Sequence, residues 1–187
     1  IREIRTSERR YYQKITDIYA ECSSDYDPKS EVTKTFYKTV QNMMHYAVSH
    51  QTAAEIVYNR ANAEKPHMGL TTWKNAPDGR VVKSDVTIAK NYLSDKEIES
   101  LNLLTTAFLD MAEDRARRHI IMKMTDWKTL LEQYLQISNR DVLPDAGSIS
   151  HEEAESKALE EYEKFWRLQD KTFLSDFDRF IEGLERD

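Results

Sequence analysis

Residues 94–119 read SDKEIESLNLLTTAFLDMAEDRARRH, and this stretch decides the fold class. Ser94 followed three residues later by Glu97 is a capping box, in which hydroxyl and carboxylate each accept an orphan backbone N–H at a helix start. Behind it Ile98, Leu101, Leu104, Phe108 and Met111 recur at three- and four-residue spacing. That is one apolar stripe on a helix from Asp95 to about His119.

The same signals repeat outward. Ser30 caps a helix carrying Val32, Phe36, Val40, Met43, Met44 and Ala47 on one face, and QTAAEIVYNRA (51–61) continues as another. Ser84 is placed to cap DVTIAKNYL, and Thr125 and Asp126 open WKTLLEQYLQI. Ser150 with Glu153 is a second capping box. It opens a helix of roughly 30 residues or more, about 45–50 Å long, striped by Tyr162, Phe165, Trp166, Phe173, Phe177, Phe180, Ile181 and Leu184. At the other end Ile1, Ile4, Tyr11, Ile15, Ile18 and Cys22 fall on a heptad seam broken by Glu8, the pattern of a connector, a dimerising helix or one more core helix. This segment begins without Met and already in helical phase, so the helix is expected to continue upstream of residue 1. The expectation is a single all-α domain over 1–187, a bundle of about six to seven helices with one long irregular loop at about 62–83.

Composition narrows the class. With 40% hydrophobic and 32% charged residues the chain is soluble and helix-rich, and no apolar run approaches the roughly 20 residues of a membrane span. Its single cysteine, Cys22, excludes an intramolecular disulfide framework and fits a reducing cytoplasm. Only four Gly and four Pro occur, and Pro66, Gly69, Pro77 and Gly79 all lie in the loop. The net charge of −6 argues against nucleic acid as a partner of the whole domain, yet Arg60 to Lys90 holds six bases against three acids. A basic island in an acidic chain suits a phosphate or another acidic ligand.

The candidate ligand or nucleic-acid site is therefore Asn59, Arg60, Asn62, Lys65, His67, Trp73, Lys74, Lys83, Lys90 and Asn91. Bases neutralise phosphates, an open Trp stacks on bases, and amides read base edges. The plainer reading packs Pro66, Met68, Leu70 and Trp73 onto the helices and leaves the lysines solvated. Loops beyond about 15 residues are uncommon unless functional or disordered, which favours a working surface. A phosphate-handling enzyme would use Arg60, Lys65, His67, Lys74 and Lys90, with Glu55 or Asp85 as base. A metal or hydrolytic site would draw on Asp110, Glu113 and Asp114 at i, i+3, i+4 with His45 or His67, but acids ahead of Arg115, Arg117 and Arg118 are ordinarily surface pairs. His45, among Met43, Met44 and Ala47, reads as a core histidine. Cys22 has no neighbouring His, and neither a Walker loop nor G-x-S-x-G occurs. TIAKNYLSDKEIESLNLL (87–104) can be read as helix-turn-helix, but its second helix is too long and too apolar for a recognition helix. The sequence marks no catalytic residue, no metal set and no cofactor.

ERRYYQKITDIYA, SSDYDPKS, VQNMMHYAVSHQTAAEIVYNRANAEKPHMGLTTWK, KSDVTIAKNYL, FLDMAEDRARR and SHEEAESKALEEYEKF resemble the bacterial RhuM family of virulence-associated proteins over nearly the whole chain. Proteins that look like this usually carry an N-terminal helix-turn-helix-like module, which this sequence lacks. They are commonly described as DNA-binding and are found near restriction-modification genes, pathogenicity islands or prophages. The resemblance implies a regulatory, DNA-linked role, with DNA contacted mainly through the absent module, and supplies no mechanism. Relatives can pair that module with a Fic/Doc domain, but no His-Pro or Gly-Asn of a Fic loop occurs here. The expected role is a non-catalytic, cytoplasmic helical domain giving homo-oligomerisation and a basic, Trp-bearing contact surface. The alternatives are the phosphate-handling enzyme and a protein-interaction module of a toxin–antitoxin or phage-defence system.

Overall fold

The computed structural model describes Asp17 and residues 23–172. Five α-helices occur among the described residues: α1 (Glu31–Ser49), α2 (Ala53–Arg60), α3 (Asp95–Arg117), α4 (Met124–Ile137) and α5 (His151–Thr172). No β-strand is found among them, so the all-α expectation holds. α1 lies against α3 and α4, while α2 is sandwiched onto α5. The heptad seam from Ile1 to Cys22 and the stripe from Phe173 to Leu184 fall outside the described residues.

α1, α3 and α5 start where their caps say they should, whereas α4 starts at Met124 after Lys123, a residue without a capping side chain. The Ser30 hydroxyl accepts from Thr33 N, Ser94 and Glu97 close their box, and Ser150 and Glu153 close theirs. A third box was not anticipated: Thr52 and Glu55 exchange N–H bonds at 2.8 and 3.3 Å to start α2. Glycine being scarce, α1, α3 and α4 are closed by other left-handed residues, His50, His119 and Asn139, whereas α2 ends on an extended Ala61. After α3, His119 (φ 54°) donates to Ala116 O while Ile120 donates to Arg115 O. After α4, Asn139 (φ 51°) and Arg140 repeat the pattern to Gln136 O and Leu135 O. Both are Schellman ends, which satisfy carbonyls that the helix leaves unpaired.

The core follows the stripes with one shift of phase. Phe36, Val40, Met43, Met44 and Ala47 are buried on α1 as expected, but Val32 is 63% exposed. Thr33 is buried in its place, its hydroxyl hydrogen-bonded to Ser30 Oγ at 3.1 Å, so burying it strands no polar group. Ile98, Leu101, Leu104 and Phe108 face inward on α3, and Trp127, Leu131 and Leu135 fill the centre from α4. The Trp127 indole N–H reaches Ser23 Oγ at 3.0 Å, and Met124 N donates to Asp25 Oδ1, tying the segment before α1 to the start of α4. On α5, which packs against α2, Ala154 and Ala158 are buried, small side chains that let two helices approach. Trp166, expected on the apolar stripe, is 44% exposed.

Two local expectations fail. DVTIAKNYL is not a helix capped by Ser84: residues 83–87 are turns, followed by an extended Ile88 and one short 3-10 turn at Ala89–Tyr92. The reason is Asp85, whose carboxylate is spent bonding residues behind it in the chain rather than opening a helix ahead. The irregular segment accordingly extends past Lys83 to Leu93.

Phe108 is completely buried, so Phe108→Ala is expected to cost about 3–5 kcal/mol in urea unfolding. A loss below about 1 kcal/mol would contradict the placement of α3 at the centre of the core.

Candidate loop platform and its exposed lysines

α2 delivers Arg60 to the inner edge of the loop. Its guanidinium forms a two-pronged pair with Glu97, Nη1 to Oε2 at 2.8 Å and Nη2 to Oε1 at 2.7 Å. Nη1 also donates to Tyr92 O at 3.0 Å, and Nε to Gln51 Oε1 at 3.3 Å. The same Glu97 carboxylate accepts from Ser94 N and Ser94 Oγ. The Arg60 guanidinium, assisted by Ser94 and opposed by partial burial, holds the Glu97 carboxyl down at about 2. The His45 imidazole is 3% exposed, and its Nδ1 has no hydrogen-bond partner. Burial pushes it down to about 4, with Lys90 and then Arg60 acting the same way and Glu97 opposing, so it is neutral at pH 7.

The Pro66–Gly69 turn is strained. His67 (φ 51°, ψ 30°), Met68 (φ 61°, ψ 23°) and Gly69 (φ 82°) are three consecutive left-handed residues. For the two non-glycines this conformation costs about 1–2 kcal/mol each. The surroundings over-determine it: Met68 is fully buried and its carbonyl accepts from Asn62 N, while Met68 N donates to Lys65 O at 2.9 Å. The His67 ring stacks on Trp73 with centroids 4.3 Å apart. Gly69 has no alternative, because a Cβ there would lie 2.5 Å from Arg60 O.

Beyond the turn, Thr71 N and Thr71 Oγ1 donate to Asn91 O and Leu93 O at 2.8 and 2.6 Å. Asp85 is 1% exposed and acts as a hub. Its Oδ1 accepts from Lys74 N and its Oδ2 from Val82 N, both at 3.0 Å, while its carbonyl accepts from Asn91 Nδ2 at 2.8 Å. α5 closes the back. Lys157 Nζ donates to Tyr58 O at 2.6 Å and lies 4.8 Å over the Tyr58 ring. Glu161 accepts from Ala63 N at 2.7 Å, and the Gln169 amide pairs with both Val81 N and Val81 O.

The ten predicted residues thus divide. Arg60 is half-buried and engaged, Lys90 and Asn91 are 7% and 4% exposed, and Trp73 is 4% exposed with its N–H bonded to Gly79 O at 2.7 Å. These four build the platform, and the open, stacking Trp expected from the sequence is corrected to a core residue. Asn59, Lys65, His67, Lys74 and Lys83 face solvent, and Asn62 is half-buried with its side chain on Glu64 N. Contacts join the outward residues in series: His67 stacks on Trp73, Lys74 adjoins it, and Asp85 ties Lys74 N to Val82 N next to Lys83. Sequence reasoning missed Glu97 as the partner of Arg60, and Lys157, Glu161 and Gln169 as loop supports. The i,i+3 and i,i+4 rules reach only neighbours on one helix, and these partners are on other elements.

The other candidates are occupied elsewhere. Glu55 accepts from Thr52 N and from Ser148 N and Oγ. Glu113 pairs with Arg117 and Asp114 with Arg118. Among the described residues, no three His, Cys, Asp or Glu side chains are grouped to hold a metal ion, and no helix is long and apolar enough to cross a membrane. An open groove of about 440 Å³ on α3, lined by Asp95, Ile98, Glu99, Asn102, Leu103 and Thr106, shares no residue with the loop set.

The model of the virulence protein RhuM family matches residues 1–173. The chain belongs to the RhuM family. No curated protein and no solved structure matches it. RhuM membership associates the chain with virulence, and the chemistry of the RhuM loop has to be argued from its own residues.

Two outcomes are expected. Gly69→Ala should lower urea stability by about 3 kcal/mol, since left-handed strain and a backbone clash add; a change under about 1 kcal/mol would refute the close approach of Gly69 to Arg60. Both shifted groups have folded values below their unfolded ones, so each stabilises at higher pH and loses that contribution on acidification. The His45 contribution, on the order of 3 kcal/mol, drains between pH 6.5 and about 4, and that of Glu97 between 4.5 and about 2. His45→Met should flatten the pH dependence of the urea midpoint in the upper window and leave the lower one. An unchanged upper slope would contradict a buried neutral His45.

Proposed function

We propose that this domain is a non-catalytic contact module of a RhuM-family protein, in which the loop from Asn62 to Leu93 presents lysines to the phosphates of nucleic acid. The observation that carries the proposal is the division of the loop into a locked interior and a basic exterior. Lys65, Lys74 and Lys83 are exposed and make no ion pair among the described residues. The backbone beneath them is fixed by Asp85, Asn91 and the side chains of α5. Ordering more than 30 residues without a helix or strand is expensive, and a buried polar scaffold offsets that cost while leaving the charges outside. Pre-fixed charges bind a polyanion with less entropy lost than charges on a mobile loop. Glu64 and Asp78, also exposed in the loop, reduce the surplus without cancelling it.

Catalysis at the same place is less well supported. The enzyme alternative needs Arg60, Lys90 and a base from Glu55 or Asp85. Arg60 is committed to Glu97 and Tyr92 O, Glu55 to two N–H groups and a hydroxyl, and Asp85 to the backbone of Lys74 and Val82.

The test is fluorescence anisotropy of a labelled DNA duplex titrated with the 187-residue chain from low to physiological salt. Binding is expected at low salt, with affinity falling at least tenfold in the triple variant Lys65→Ala, Lys74→Ala, Lys83→Ala. Because all three side chains are exposed, the variant should retain the parental melting temperature. No binding at low salt, or full binding by the triple variant, would remove the loop from any nucleic-acid contact.

A further inference from the structure

The geometry points to a contact that is blind to base sequence: the loop holds the phosphate backbone of a duplex and reads no bases. This inference rests on the proposed function and narrows it. Base readout needs planar or forked side chains free at the surface, chiefly Arg, Asn and Gln on base edges and aromatic faces for stacking. The loop region contains those residue types, and the fold has consumed most of them, leaving outside only the Asn59 amide and the His67 ring, which is already stacked on Trp73.

The two-pronged donor face of Arg60 is closed on Glu97, the geometry with which it would otherwise take guanine O6 and N7. Asn91 is buried with its amide N–H on Asp85 O. Trp73 is buried, its N–H held by Gly79 O and its ring covered by His67. Gln169 has both ends of its amide on Val81. Arg80 is half-buried and interacts within the domain, and the Asn75 amide is turned back onto Arg80 O at 3.3 Å. What remains outward is dominated by Lys65, Lys74 and Lys83, flexible ammonium point charges suited to phosphate oxygens. Asn59 is exposed near the C-terminal end of α2, a lone amide without a second reader beside it.

Counterion release fixes the expected number. Three lysines on three phosphates of B-DNA give a log–log salt slope of about −3, and each lysine removed should lower its magnitude by about one.

The experiment measures duplexes of equal length and unrelated sequence, with a mixed-sequence single strand alongside, by anisotropy at several salt concentrations. Expected are duplex affinities within about threefold of one another, a slope near −3, and a slope near −2 for Lys74→Ala. Asn59→Ala should leave the ratios between duplexes unchanged. A preference beyond about thirtyfold for one duplex, or markedly tighter binding of the single strand, would overturn sequence-blind contact while leaving the proposed nucleic-acid contact standing. Absence of binding to every DNA at low salt would overturn the proposed function itself, and this inference with it.

Discussion

One ion pair carries an unusual share of the architecture. Arg60 is the last residue of α2 and Glu97 lies in the first turn of α3, so their bond closes a loop across a sequence separation of 37. Closing such a loop costs entropy that grows only slowly with its length, so a strong, directional latch is worth more here than a shorter connection would be. Glu97 serves two structures with one carboxylate, completing the Ser94 capping box and gripping the guanidinium. The start of α3 and the end of α2 are thereby positioned by the same group. Side-chain exposures of 25% and 18% leave the pair partly hydrated, which limits the desolvation penalty that full burial would impose.

Around that latch the loop is organised as a small polar interior. Asp85 does what a strand partner or a helix would do elsewhere, satisfying the N–H groups of Lys74 and Val82 with one carboxylate. Backbone donors without secondary structure must find acceptors somewhere, and in this domain Glu161 and Gln169 of α5 supply two of them. The exceptions among the described residues are Thr72 Oγ1 and the Nδ1 of His45. The latter is a ring nitrogen. It is tolerable because the ring is kept neutral, whereas a buried imidazolium beside Arg60 and Lys90 would not be.

How much of this was legible depended on distance along the chain. The boundaries set by Ser30, Ser94 and Ser150, and the inward faces of α1 and α3, are local patterns and were readable. The Thr52 box has the same T-x-x-E form and could have been read too, but the helical reading of 51–61 already runs through Thr52. Val32 and Thr33 show the limit of pattern alone: a one-residue shift of phase is undetectable until the hydroxyl of Thr33 finds its cap. The loop was visible from Pro66, Gly69, Pro77 and Gly79, whereas its sorting was not. Lys90, Asn91 and Trp73 look like surface chemistry as letters and are buried as side chains; Trp73 meets Gly79 and Asn91 meets Asp85 six residues away within the loop, a proximity that no helix or strand period predicts.

The supports that α5 lends the loop have a consequence for how the chain comes to be made. Lys157, Glu161 and Gln169 bond backbone groups of Tyr58, Ala63 and Val81, lying 88 to 99 residues after them. During synthesis the loop therefore leaves the ribosome well before its own braces exist, while α1, α2 and α3 already have their caps and much of their apolar contact. Ala63 N and both backbone groups of Val81 stay with water until α5 arrives, whereas the bonds made by Asp85 and Asn91 need no residue beyond the loop. The segment that carries Lys65, Lys74 and Lys83 is thus fully braced only once the chain has been made as far as Gln169.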